Sequence, residues 1–173
     1  MHSKDFLVEK LNEICPGSVL SGEEVRRRVR LDIDPAQIVS VCRLLRDNPE
    51  LRYDYCIDVF GMDHKGEIPR FSANYYLHSV EFKSNVLLRA KIDGDPPVIE
   101  TVSEVWQNAN WLEREAYDMF GIEFKNHPDL RRILMAPDYK DWPLRKEHDW
   151  RSNIEESFPY YRPGQWHDRK TEK

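Results

Sequence analysis

The chain has 173 residues, of which 40% are hydrophobic and 33% are charged, and its formal net charge at pH 7 is -5. This length fits one domain with a sizeable core, and the acidic balance argues against a general nucleic-acid binder, which normally carries a basic face. No apolar run is long enough to span a membrane, and the charged N-terminal segment does not resemble a signal peptide, so we expect a cytoplasmic location.

The first third of the chain predicts a helix, a strand and a second helix. Residues 6–14 have apolar side chains at helical spacing, and Pro16-Gly17 ends that helix. Over 25–33 the apolar side chains alternate with charged ones, as in a strand that is buried on one face only. Asp34-Pro35 predicts the start of a helix whose apolar stripe covers 38–45. The exposed face of the strand would carry Arg26, Arg28 and Arg30.

Three more strands and two helices are predicted between 53 and 120. The stretch 53–61 alternates, and "FSANYYLHSV" and "NVLLRAKI" are joined by a segment short enough for a hairpin. After the turn-rich segment 93–97, apolar residues from Val98 to Trp106 predict a helix, and a second helix precedes Gly121. The order α-β-α-β-β-β-α-α predicts an α+β fold, in which a four-stranded mixed or antiparallel sheet has its helices packed on one face.

The last segment, 135–173, has four prolines and three of the five tryptophans. An aromatic segment that cannot form its own core is typical of an arm laid on a surface. We therefore predict an α+β domain over 1–134 and an extended partner-binding arm over 135–173. The alternative, that the arm folds back on its own domain, stays open.

The three cysteines argue against a metal cofactor. Cys15, Cys42 and Cys56 are widely spaced and include no C-x-x-C pair, whereas zinc sites and iron–sulfur clusters need clustered ligands. Cys42 and Cys56 have apolar neighbours and are predicted core residues. The histidines also lack the H-x-x-x-H spacing of a helical metal site; those considered are His64, His78, His127, His148 and His167.

The stretch "WLEREAYDMFGIEFKNHPDLRRIL" combines dense charge with an apolar helical stripe. Asn110 could cap the helix, with Glu113 at the third position as the reciprocal cap, and Gly121 suits a left-handed helix end. Arg114 and Asp118 are four residues apart and could pair on the helix surface. Much of the charge therefore has a structural interpretation.

An acid–base pair is the catalytic alternative for this stretch. Glu113, Glu115 and Asp118 could supply it. However, Glu113 and Glu115 point in different directions on a helix, and Arg114 would lower the pKa of a neighbouring acid. We therefore predict no catalytic residues.

The charged stretch closely resembles the signature of one family. The matching residues are Glu113-Arg114-Glu115, Asp118, Gly121-Ile122, His127-Pro128, Leu130-Arg131-Arg132-Ile133-Leu134 and Pro143-Leu144-Arg145-Lys146. They resemble the 30 kDa (C-type) subunit family of proton-pumping NADH:quinone oxidoreductase, respiratory complex I. The chain departs from the family pattern at Asp141, where a glycine is usual, and at His148 and Asp149, where an aromatic residue and a proline are usual.

The resemblance implies a subunit without flavin, iron–sulfur cluster or quinone of its own. FMN, the clusters and quinone would be bound by partner subunits of the peripheral arm. The implied partners are the large quinone-site (D-type) subunit and the adjacent iron–sulfur (B-type) subunit, at the cytoplasmic face of the energy-transducing membrane. The resemblance makes ten residues candidates for subunit-interface or packing roles: Glu113, Arg114, Glu115, Asp118, His127, Asp129, Arg131, Arg132, Arg145 and Lys146.

Other functions stay open at this point. Related complexes driven by ferredoxin, by reduced coenzyme F420 or by hydrogen contain a similar subunit, and the chain cannot name its electron donor. A free-standing enzyme would use the Glu113 and Asp118 carboxylates. A nucleic-acid binder would use the arginine face of the strand over 25–33, although the net acidity disfavours it.

Overall fold

The computed structural model describes residues 2–25 and 28–148. This part of the chain forms three α-helices, α1 (Lys4–Ile14), α2 (Ile38–Asp47) and α3 (Ala109–Phe120), and a 3-10 turn, Pro35–Gln37, leads into α2. The same residues form seven strands: β1 (Val19–Val25), β2 (Arg28–Ile33), β3 (Tyr55–Asp63), β4 (Phe71–Ser79), β5 (Ser84–Ile92), β6 (Val98–Glu100) and β7 (Glu123–Lys125). None of these helices is both long enough and apolar enough to cross a membrane.

The main sheet has five strands in the order β1-β2-β5-β4-β3. β1 pairs antiparallel with β2, β2 pairs parallel with β5, and β4 pairs antiparallel with both β5 and β3. A second, two-stranded parallel sheet joins β6 to β7. The main sheet is therefore mixed, and the predicted α+β class is confirmed.

One face of the main sheet carries the hydrophobic core. Four cross-strand neighbours on this face are buried: Leu31, Leu88, Tyr75 and Val59. They form one cluster with buried residues of all three helices, such as Leu11, Val41 and Ala116. The opposite face is polar, and Asp32 and Arg89 pair across β2 and β5 there at 2.7 Å. The helices thus pack on one face, as predicted from the sequence.

The end of α1 and the start of α2 follow the predicted local signals, and Ser3 adds a cap that the sequence pattern did not indicate. The Ser3 hydroxyl accepts a hydrogen bond from the Phe6 amide at 3.3 Å, and α1 ends just before Pro16-Gly17. The Asp34 carboxylate accepts from the Ala36 amide at 3.0 Å ahead of α2. α2 then buries its apolar stripe against the sheet, whereas α1 buries Leu7 and Leu11 and leaves Ile14 exposed.

The sheet has one strand more than the four predicted, because the sequence pattern did not indicate β1. Its residues from Leu20 to Glu24 are exposed, so it shows no alternation of buried and exposed side chains. β1 is held instead by its pairing with β2, where Glu23 meets Arg30 at 3.1 Å. Of the three strand arginines, Arg28 is exposed, Arg30 is paired in this way, and Arg26 lies outside the described residues.

The prediction of a helix from Val98 to Trp106 is wrong. This segment begins as β6, which pairs with β7, and the Thr101 amide donates to the Lys125 carbonyl at 3.0 Å. Beyond β6 the chain makes isolated turns that bury Val102 and Trp106. Turns that bury one side can produce apolar spacing like that of a helix, which explains the error.

Candidate functional site

Glu113 on α3 is fully buried and faces the turn that follows β6. Its carboxylate accepts a hydrogen bond from the Val102 amide at 2.7 Å and another from the Thr101 hydroxyl. Burial raises the pKa of Glu113 to about 7, although both hydrogen bonds act to lower that pKa. Glu113 therefore fastens α3 to the β6 turn rather than capping its own helix.

His127 follows β7 and lies beside Glu113, and its side chain is fully buried. Its Nδ1 accepts from the Asp129 amide at 3.0 Å, and its Nε2 lies 3.1 Å from the Asn110 carbonyl. This geometry requires the neutral ring with the proton on Nε2, and burial lowers the pKa of His127. The 3.9 Å approach to Glu113 is therefore a contact between neighbours rather than an ion pair.

Asp118, one turn beyond Arg114 on α3, is also fully buried. One carboxylate oxygen, Oδ1, lies 2.7 Å from Arg132, and Oδ2 accepts from three consecutive amides, those of Ile133, Leu134 and Met135, at 3.0, 2.7 and 2.9 Å. Burial acts to raise the pKa of Asp118, but these donors outweigh it, and the pKa is lowered. Asp118 therefore orders the loop that follows His127.

The segment that follows this loop packs on the end of α3. Gly121 ends the helix with φ of 73°, in the left-handed region predicted from the sequence. A Cβ at this position would lie 2.6 Å from the Trp142 ring and 2.8 Å from an Arg145 nitrogen. Both side chains can therefore pack here only because glycine has no Cβ. Arg145 Nε donates to the Phe120 carbonyl at 2.7 Å, and the Trp142 ring makes an edge contact with Tyr117.

A second anchor for this segment lies on β3. Asp63 is a buried acid that accepts two hydrogen bonds from Arg70, at 2.8 and 2.7 Å, and one from the Lys146 amide at 2.8 Å. The hydrogen bonds from Arg70 hold the pKa of Asp63 low. Arg70 also bonds Glu147. Residues 135–148 therefore pack on their own domain, without helix or strand; the rest of the predicted arm, with Trp150, Trp166 and His167, lies outside the described residues.

Two positions that depart from the family pattern contact each other. Asp141 Oδ2 lies 2.6 Å from His148 Nδ1, and the other carboxylate oxygen accepts from the Trp142 amide at 2.8 Å. Burial acts to raise the pKa of Asp141, but these bonds outweigh it and the pKa is lowered. The side chain of Asp141 thus closes a turn in which the resemblance led us to expect glycine.

Arg114 on α3 is almost fully buried. It stacks on Trp111 at 4.6 Å, and its Nε donates to the Arg131 carbonyl at 3.2 Å. The predicted pair with Asp118 is wrong, because Asp118 is bound to Arg132, and among the described residues the only carboxylate within 4 Å of Arg114 is that of Asp129, at 3.9 Å. Arg114 therefore joins α3 to the loop over 129–131.

The ten candidate residues fall into two groups. Six of them are bonded within the chain and build this end of the domain: Glu113, Arg114, Asp118, His127, Arg132 and Arg145. The other four have exposed or half-exposed side chains: Glu115, Asp129, Arg131 and Lys146. The expected cap is wrong as well, because α3 begins after Asn108, whose side chain makes no cap bond and instead donates to the Cys56 carbonyl.

Sequence reasoning missed the distant partners of these groups, chiefly Thr101, Asp63 and Arg70. Thr101 lies in the stretch predicted as helix, whereas Asp63 ends β3 and Arg70 immediately precedes β4. The pairing of Asp63 with Arg70 has one local signal in the sequence, which is a carboxylate at the end of a strand followed seven residues later by an arginine. Chemically, the carboxylates of Glu113, Asp118, Asp63 and Asp141 are anchors, because both oxygens of each already have hydrogen-bond partners.

The comparisons with known proteins agree on one family. The family described as the 30 kDa subunit of respiratory-chain NADH dehydrogenase matches residues 31–153. The C-type subunit of NADH-quinone oxidoreductase of Geobacter sulfurreducens is 43% identical over 149 residues, 86% of this chain and 91% of that protein. The corresponding C 2 subunit of Rhizobium meliloti is 43% identical over 128 residues, 74% of this chain and 70% of that one.

Two solved structures are similar to this fold. A trypsin-resistant fragment (1-134) of Nqo5 has a TM-score of 0.60 and 25% identity, over 72% of this chain and 98% of that one. A chain of the membrane-bound sulfane sulfur reductase, an archaeal respiratory membrane complex, has a TM-score of 0.73 over 92% of this chain and 93% of that one, but at 21% identity this likeness shows the fold alone. From the family match and the identity to its relatives, this chain belongs to the 30 kDa subunit family of respiratory-chain NADH dehydrogenase, which includes the C-type subunits of NADH-quinone oxidoreductase.

Proposed function

We propose that this chain is a non-catalytic, cofactor-free subunit of the peripheral arm of proton-pumping NADH:quinone oxidoreductase. It holds the large quinone-site (D-type) subunit and the adjacent iron–sulfur (B-type) subunit in register, so that electrons reach quinone over fixed distances. FMN, the iron–sulfur clusters and quinone belong to those partners. The chain itself is a peripheral protein at the cytoplasmic face of the membrane.

The observation that carries this proposal is how the signature carboxylates are bound. Glu113 is bound by Thr101 and Val102. Asp118 is bound by Arg132 and by the backbone amides of the three residues that follow Arg132. An acid–base pair needs two carboxyl groups that both reach a substrate, whereas these two are buried and engaged with different segments. Groups used in this way shape a rigid surface, which is what a scaffolding subunit requires.

Electron donors other than NADH define the second candidate. The sulfane sulfur reductase chain shares the fold, and complexes driven by ferredoxin, reduced coenzyme F420 or hydrogen would use the same kind of subunit. The NADH form is favoured, because relatives at 43% identity over most of the chain are C-type subunits of NADH-quinone oxidoreductase.

Purification of the membrane complex through a tag on another subunit tests the proposal. We expect this chain to co-purify with the D-type and B-type subunits, and we expect its deletion to lower electron transfer from NADH to quinone. A complex that is fully assembled and active without this chain would overturn the proposal. A complex that contains the chain but oxidises another donor would select the second candidate.

A further inference from the structure

Trp111 lies on the surface of α3, with 61% of its area exposed. Along the same side of the helix follow Arg114 and Tyr117, at steps of three residues. Together with the loop from Leu130 to Pro137 they enclose an open groove of about 570 Å³, which we call the Trp111 groove. A smaller groove of about 420 Å³ lies on the other side of the indole, so the ring forms a ridge between two depressions.

The Trp111 groove carries more positive than negative charge. Three arginines line it: Arg114, Arg131 and Arg132. Arg132 is neutralised by Asp118, and Arg131 is paired with Asp129 at 3.0 Å. Arg114 has only that same Asp129 within 4 Å among the described residues, at 3.9 Å, which is too long for a hydrogen bond. Three guanidinium groups therefore share two carboxylates.

The guanidinium group of Arg114 is also positioned to bind an anion. Its neighbours leave only 5% of its area exposed. Its Nε is used by the Arg131 carbonyl, but within the described residues its two terminal nitrogens donate no hydrogen bond. The guanidinium is already held against the Trp111 ring, at 4.6 Å. Because this planar guanidinium group is already held in place, it would lose little conformational entropy when it binds a carboxylate.

We propose that the Trp111 groove binds an acidic segment of a partner polypeptide, whose carboxylate is received by Arg114 and whose apolar side chain packs beside Trp111. The combination of an exposed tryptophan and arginines is the composition of interface hot spots. Leu130, Ile133 and Pro137 supply an apolar wall, while the excess of guanidinium groups disfavours a basic segment. The inference rests on the proposed function only in that a neighbouring subunit supplies the segment.

Binding of the full-length chain to the complex prepared without it tests the inference. We expect Trp111→Ala to weaken binding at least about tenfold, and Arg131→Glu to weaken it by a similar factor because it reverses a charge at the groove. Arg114→Gln should weaken binding while Arg114→Lys restores part of it. Ile68→Ala, at a residue that is 90% exposed and outside the groove, is the matched control and should change binding less than about twofold.

A photocrosslinking amino acid at Glu115, which is exposed one turn from Trp111 and does not line the groove, identifies the occupant. We expect a crosslink to a partner peptide that contains Asp or Glu. A crosslink to this chain's own residues 149–173, or equal binding by wild type, Trp111→Ala and Arg131→Glu, would overturn the groove proposal while leaving the proposed function intact. Failure of the wild type itself to bind would overturn the proposed function, and the groove would lose its partner with it.

Discussion

Asp118 and Arg132 bond at 2.7 Å, although they are fourteen positions apart in the chain and helix α3 ends between them. The same carboxylate accepts the amides of the three residues after Arg132. One buried acid thus neutralises a guanidinium and satisfies three backbone donors of a loop that has no regular structure. Because that loop forms one wall of the Trp111 groove, the shape of the candidate interface depends on this acid.

Substitution of Asp118 by asparagine should therefore destabilise the chain. Asparagine retains the shape but removes the charge, and it leaves Arg132 without its buried partner. Loss of one partner of a buried pair is typically severe, so we expect the free energy of unfolding to fall by about 3 kcal/mol. Urea unfolding followed by tryptophan fluorescence measures this change.

The control is Asp129→Asn, which also removes an arginine partner, but at a half-exposed position. Exposed ion pairs contribute little, so we expect a loss below about 1 kcal/mol there. Equal effects of the two substitutions would show that the buried network around Asp118 adds nothing beyond an ordinary surface pair.

Glu113 should make stability depend on pH. Its pKa is raised from 4.5 to about 7 on folding, so between these values the folded chain binds more protons than the unfolded chain. The stabilisation is fully present below pH 4.5 and is lost as the pH rises through about 7. The shift corresponds to about 3 kcal/mol in the free energy of unfolding.

Denaturant unfolding of wild type and Glu113→Gln, from below the unfolded pKa of Glu113 to above its folded pKa, isolates this contribution. The lowered pKa of His127 acts in the opposite direction over part of this range, but it is common to both proteins. We expect wild type to lose stability relative to Glu113→Gln as the pH rises. Glu115→Gln, at an exposed site on the same helix, should follow the wild-type curve; parallel curves for wild type and Glu113→Gln would contradict the prediction.

Gly121 and Gly17 form a matched pair of positions. Their φ angles are 73° and 76°, so alanine is strained at both by a similar amount. A Cβ on Gly17 would meet nothing within 4 Å, whereas a Cβ on Gly121 would meet Trp142 and Arg145. We expect Gly121→Ala to cost about 1–3 kcal/mol more than Gly17→Ala, because it also displaces the packed segment.

Thermal unfolding and limited proteolysis of residues 139–148 distinguish the two glycine variants. Faster cleavage in this segment is expected for Gly121→Ala only. Identical melting and cleavage in both variants would mean that Trp142 and Arg145 adapt without loss.

Truncation tests whether residues 133–148 belong to the domain. The sequence alone predicts that a chain ending at Arg132 keeps a folded core. The structure adds that this chain should be about 2–4 kcal/mol less stable than one ending at His148, because Asp118 loses three amide donors and the Phe120 carbonyl loses Arg145. Equal denaturant midpoints of the two truncated chains would mean that residues 133–148 do not stabilise the domain and belong to the arm.

Local patterns sufficed for much of the fold. The predicted alternation of β3 fails at Tyr55 and Ile57, which are exposed beside an irregularity in the strand pairing. The apolar stripe of α2, the alternation of β2 and β5 and the glycine after α3 do occur where the spacing and the cap residues indicated. Each depends on residues that are neighbours in the chain, so short-range physical preferences determine them. The stretch from Val98 to Trp106 failed because its spacing is compatible with both a helix and a set of buried turns.

Local sequence patterns were therefore sufficient to predict the fold class and most of the helices and strands, and to recognise the family signature. The roles of the signature charges depend on long-range contacts instead. Asp118 was within reach of Arg114 along the helix, yet it bonds Arg132, and Glu113 bonds the turn at Thr101 instead of its own helix end. The physical reason is burial: a buried carboxylate needs donors on every side, and those donors come from segments that only the folded chain brings together.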